Sequence, residues 1–93
     1  MNNYEALFII KPDLNEDDVK NSFKSITDSV VKNGGAITKE ENWGKKQLAY
    51  TVKKFKEGYY YKLDFTSPAP AISKLEEAFK LNQDILRTMI TRR

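Results

Sequence analysis

Basic and aromatic side chains crowd the middle of this sequence, and they are the residues with chemistry to offer. Between residues 44 and 62 stand Lys45, Lys46, Lys53, Lys54, Lys56 and Lys62, opposed only by Glu57. Ammonium groups in such a run can neutralise phosphates, which makes a polyanion a natural partner. The plainer alternative is a solvated hairpin whose lysines keep an edge strand soluble. A second cationic group is Arg87, Arg92 and Arg93, whose guanidinium forks fit phosphate oxygens and stack on bases. Trp43, Tyr50, Tyr59, Tyr60 and Tyr61 supply rings that stack on bases wherever a sheet face is open. Tyr59 and Tyr61 share phase with Leu63 and Phe65 and are expected in the core or at its rim. That leaves Tyr60 as the ring for the open face.

Catalysis is poorly served by the same chain. It has no cysteine and no histidine, so it offers no thiol nucleophile, no zinc knuckle and no imidazole for proton transfer near neutral pH. Ser22, Ser25, Ser29, Ser67 and Ser73 lack a base to activate them. The acidic pairs Asp17-Asp18, Glu40-Glu41 and Glu76-Glu77 read as helix-start charges or solvated surface. Gly34-Gly35 has neither the spacing nor the lysine of a phosphate-binding loop. No catalytic residue, cofactor, metal site or small-molecule substrate is expected.

The elements that position the cations can be read from periodicity. Tyr4 to Ile10 is an apolar run stopped at Lys11-Pro12-Asp13, as a buried strand would be. Asn15 can cap a helix, with Leu14 and Val19 as a hydrophobic staple and Glu16, Asp17 and Asp18 facing the macrodipole. Val19, Phe23, Ile26 and Val30 give that helix its apolar stripe, and Gly34-Gly35 ends it. Ala36 to Val52 reads as a strand bent or bulged at Gly44, and the polar stretch Lys53 to Gly58 holds the turn after it. Tyr59, Tyr61, Leu63 and Phe65 alternate along a third strand. Ser67 to Pro70 leads into a second helix with Ile72, Leu75, Ala78 and Phe79 as its stripe, and Ile85 to Thr91 is a last strand.

This order predicts one α+β domain over residues 1–93, a βαββαβ sandwich. A four-stranded antiparallel sheet would carry both helices on one face and leave the other uncovered. Charge is distributed unevenly: residues 1–33 hold four lysines against six acidic residues, so the cationic excess lies in the remainder. The amino terminus lacks the basic-then-apolar pattern of a signal peptide, and the run from Ala6 to Ile10 is far too short to span a bilayer. A cytoplasmic location and no membrane partner are the expectation.

The third strand does not match the RNA recognition motif, because Gly58-Tyr59-Tyr60-Tyr61-Lys62-Leu63 is not the required aromatic pattern. Backbone contact with a folded RNA, or contact with a protein, fits better than base reading on the sheet. A specific resemblance lies just upstream. Gly44-Lys45-Lys46-Gln47-Leu48-Ala49-Tyr50-Thr51-Val52-Lys53 resembles the signature of protein six of the bacterial small ribosomal subunit. That signature is a glycine, a spacer, a basic and a polar residue, Leu-Ala-Tyr, a spacer, an aliphatic and often a basic residue. Tyr4-Glu5, Pro12, Gly34, Gly58-Tyr59, Arg87 and Met89 continue the likeness across essentially the whole chain.

The resemblance implies a ferredoxin-like fold, a ribosome-associated location and a scaffolding role. The family pairs with ribosomal protein eighteen and binds the central domain of the small-subunit ribosomal RNA. Carried onto this chain, Asn3, Tyr4, Arg87 and Arg92 are the expected RNA contacts, joined on charge by Lys45, Lys46, Lys53, Lys54 and Arg93. Trp43, Leu48, Tyr50 and Tyr60 are the expected partner-protein surface. The alternative from another class is a protein-only interaction or regulatory module of the same fold.

Overall fold

The computed structural model describes all of residues 1–93. The chain runs β1 (Asn2–Ile10), α1 (Glu16–Lys32), β2 (Ala36–Val52), β3 (Phe55–Ser67), α2 (Ala71–Leu81) and β4 (Ile85–Arg92). The strands form one antiparallel sheet in the order β2-β3-β1-β4. The element order and the ferredoxin-like arrangement are those the sequence predicts.

Both helices pack on the side where the apolar side chains of all four strands converge. Register pairs Tyr4 with Phe65, Ala6 with Leu63 and Phe8 with Tyr61, and residues directly opposite share a face. Those six join Ile10, Ile26, Val30, Leu75, Phe79 and Ile85 in one buried cluster. Phe79 of α2 meets Phe8 edge-on at 5.0 Å, and Phe23 of α1 stacks on Tyr61 at 4.3 Å. The entry to α1 follows its sequence signals: the Asn15 side chain accepts from the Asp18 N–H at 2.8 Å, and Val19 is buried with Leu14 packed on the core. The stripe of α2 is Ala71, Leu75 and Phe79 with Ile72 at its margin; Ala78, expected inside, is exposed.

The β2–β3 hairpin differs most from expectation. Lys53 to Gly58 holds the turn as expected, but only Lys53 and Lys54 lie between the strands, and Val52 pairs with Phe55. Both lysines have positive φ, +47° and +73°, as a two-residue hairpin turn with the strands' own twist demands. The strands therefore run past the end of β1, whose last pair on this side is Ile10 with Tyr59. Gly44, at φ +78°, marks the bulge predicted there, where the register slips between Asn42 and Gly44. Gly58 is required by a close approach, since a Cβ there would lie 2.5 Å from Ile9 Cγ2 and 3.2 Å from the Ile10 carbonyl.

Candidate nucleic-acid and protein interface

The prolonged hairpin curls back across the sheet. Tyr50 lies on β2 and Arg87 on β4, the two opposite edges, yet the Arg87 guanidinium donates to the Tyr50 hydroxyl. Only an arm folded over the end of β1 brings these edges together. It also covers one corner of the helix-free face, where Ile9 is buried and Leu48 Cδ2 comes within 3.9 Å of the place a Gly58 Cβ would take. The expectation of a wholly uncovered face is corrected at that corner.

The arm creates a cleft of about 400 Å³ between its tip, α2 and β4. Phe79, Ile85 and Ile90 contribute apolar walls, and Lys53, Lys80 and Arg87 stand around it with one acid, Glu76. Two of the predicted RNA-contacting cations, distant in sequence, thus border one cleft, and Tyr50, predicted for the partner protein, is joined to it through Arg87. None of Lys45, Lys46, Lys53, Lys54, Arg87 and Arg92 takes part in an ion pair. Their charge is available to phosphate.

The remaining predicted residues are dispersed. Lys45 and Lys46 diverge, because neighbours on a strand point to opposite faces. Lys45 lies 5.3 Å from the centre of the Tyr59 ring and Lys46 at the same distance from Trp43. Trp43 stacks on Tyr60 at 6.3 Å, and its indole N–H donates to Glu41 at 3.2 Å. Tyr60 is therefore on the helix-free face as expected, with its ring already paired. At the far end of β4, Arg92 donates to the Asn2 side chain at 3.2 Å, and Asn3 is exposed. Arg87 and Arg92 are five residues apart on an extended strand, roughly 17 Å.

Two expectations are revised. Tyr4 is a core residue, 6% exposed and stacked on Phe65 at 5.7 Å, so its ring has no face to offer RNA. Arg93 is neutralised: it reaches over the sheet to Glu5 Oε2 at 3.2 Å and Asp64 Oδ2 at 3.6 Å. Lys62 holds the other Glu5 oxygen at 3.1 Å. The Lys62 hydrogen bond, aided by Arg93, keeps the Glu5 carboxyl below the usual range, and Glu5 in turn raises the Lys62 ammonium. Lys39 and then Trp43 lower Glu41. On the helix side, burial and then Glu40, which accepts from the Tyr61 hydroxyl, push the Tyr61 phenol up. Sequence reasoning gave Glu5 and Asp64 no part in a site; their opposition across β1 and β3 appears only once the register is known.

No helix is long and apolar enough to cross a membrane. The family model described as ribosomal protein S6 matches residues 3–92. The small ribosomal subunit protein bS6 of Moorella thermoacetica is 37% identical over 92 residues, covering 99% of this chain and 94% of that protein. That of Dictyoglomus turgidum is 40% identical over 91 residues, covering 98% and 94%. The crystal structure of 30S ribosomal protein S6 from Thermotoga maritima superposes with a TM-score of 0.95 at 30% identity, covering 99% of this chain and 87% of that one. Fold, length and sequence agree, and the chain belongs to the ribosomal protein S6 family, structural proteins of the small ribosomal subunit rather than enzymes.

Proposed function

We propose that the protein, acting as a single domain, binds the central domain of the small-subunit ribosomal RNA together with ribosomal protein eighteen, and so supports subunit assembly and translation. The observation that carries this reading is the convergence of Lys53 and Arg87, neither held in an ion pair, on one cleft between the arm, α2 and β4. Phosphate contacts position a protein on folded RNA without reading bases. The site suits that task, because the ring best placed for stacking, Tyr60, is already occupied by Trp43. Lys53, Lys54, Arg87 and Tyr50 form one contact region at the arm. Asn3 and Arg92 form a second at the far end of β4. Lys46, Trp43 and Tyr60 on the face, with Leu48 bracing the arm, are left for the protein partner, and Lys45 for RNA on the helix side.

The test is a gel-shift titration with a central-domain RNA fragment, with and without ribosomal protein eighteen. Weak binding alone and much tighter, salt-sensitive binding with the partner is the expected result. Equal, salt-insensitive binding to any RNA in both cases would refute it.

A further inference from the structure

Asp64 sits near the middle of the helix-free face and is unusual for an acid on an open sheet. The residue is only 9% exposed, and its Oδ1 is fully buried with no hydrogen-bond partner. An unsatisfied buried carboxylate oxygen is costly to retain. The one cation that reaches Asp64 is Arg93, at 3.6 Å from Oδ2, longer than the roughly 2.7–2.9 Å of a charge-assisted hydrogen bond. Arg93 makes its better contacts with Glu5, at 3.2 and 3.3 Å, and its side chain is 53% exposed. The guanidinium is thus loosely held over a carboxylate it serves through one oxygen only.

We propose that this position receives an arginine side chain from the protein partner, which displaces Arg93 and pairs with the Asp64 carboxylate. The inference rests on the protein-partner half of the reading above and names its anchor. Charge decides between occupants: with Arg93 displaced, Glu5 and Asp64 outnumber Lys62, so this part of the face is net negative and takes a cationic protein segment rather than RNA. Its surroundings suit a protein as well. Leu7 and Met89 pair across β1 and β4 beside it, Met89 is 45% exposed, and the Trp43–Tyr60 stack lies on the same face. An arginine anchored between aromatic and apolar neighbours is a common centre of binding energy.

The test measures affinity for purified ribosomal protein eighteen by calorimetry, without RNA, for the wild type, Asp64→Asn and Arg93→Ala. Asp64→Asn should weaken binding by about thirtyfold or more, the usual effect of removing one side of a buried charge pair. Arg93→Ala should bind as tightly as wild type or more so, because it only removes the displaced group. Equal weakening by both variants would make the pair merely structural and overturn the proposal. So would an unchanged affinity in Asp64→Asn, or an unchanged protein affinity with tighter RNA binding, which would place RNA there instead. Failure of the wild type to bind ribosomal protein eighteen would overturn the partner reading and this inference together. Should Asp64→Asn not fold, the carboxyl carbon resonance of Asp64 in the unaltered protein gives the answer. It should shift on saturation with partner, and a fixed resonance while the backbone reports binding would refute the idea.

Discussion

Replacing Lys53 and Arg87 together by alanine separates a phosphate-binding cleft from a merely solvated hairpin. Both side chains border the same cleft and neither is engaged by a carboxylate. Each cation that neutralises a phosphate adds about 0.9 to the slope of log affinity against log salt on duplex RNA, and about 0.7 on single strands. The double variant should therefore lower the slope by about 1.8 or about 1.4. Between about 50 and 200 mM salt, a fourfold change, each duplex contact alters affinity about 3.5-fold, so the variant should be spared about a twelvefold loss. Arg87 also ties down the arm through Tyr50, but an exposed contact of this kind is worth no more than about 1 kcal/mol, so the fold should survive. Filter binding to the central-domain fragment, with ribosomal protein eighteen present, reads the slope directly. Lys74→Ala, on the exposed side of α2, is the control and should leave it unchanged. An unaltered slope in the double variant, with affinity lost equally at every salt concentration, would show that these groups act through the fold and not through phosphate.

Three further outcomes follow from the structure. Gly58→Ala drives a methyl into Ile9 and the Ile10 carbonyl, and should destabilise the protein by about 1–3 kcal/mol in chemical denaturation; a neutral result would mean the arm does not press on β1. Lys54→Gly relieves a side chain held at φ +73° and should raise stability by about 1 kcal/mol while weakening RNA binding; a loss of stability would contradict the two-residue turn. The melting temperature should be nearly flat from about pH 5 to about pH 9, because no histidine or cysteine titrates there. Glu5 and Glu41 are lowered in the fold, so they stabilise it above the ordinary carboxylate range and lose this as pH falls through their depressed values. Lys62 and Tyr61 are raised, so their stabilisation holds below their ordinary values and is lost as pH climbs beyond them. A marked step between pH 6 and 8 would contradict this assignment.

What the sequence revealed, and what it concealed, divides by the range of the interactions. The start of α1 was legible because its cap, its acidic first turn and its staple lie within a few residues of one another. The inward phase of β3 was legible because alternation is local too. The turn could be placed only within a six-residue stretch because nothing marks Lys53 and Lys54 for left-handed backbone, where asparagine or glycine would have signalled a two-residue hairpin. Tyr4 was misplaced because β1 is apolar on both sides for much of its length, which hides which residues face the helices. The site was legible in composition and not in geometry. The cations and rings were evident, but the meeting of Arg87 with Tyr50 depends on an arm crossing the sheet. The opposition of Glu5 and Asp64 depends on register.

The central claim is that the protein acts by presenting surface, with its helix-free face, its arm and the adjoining cleft docked while the outer sides of its helices look outward. Hydroxyl-radical labelling of the free protein and of intact small subunits, read by mass spectrometry, tests this most directly. Trp43, Tyr50 and Met89 on the face and arm, and Val31 and Leu81 on the helices, are all exposed in the isolated chain and should all be labelled there. In the subunit the first three should be protected while Val31 and Leu81 stay reactive. Protection of the helix residues, with Trp43, Tyr50 and Met89 as reactive as before, would contradict the account.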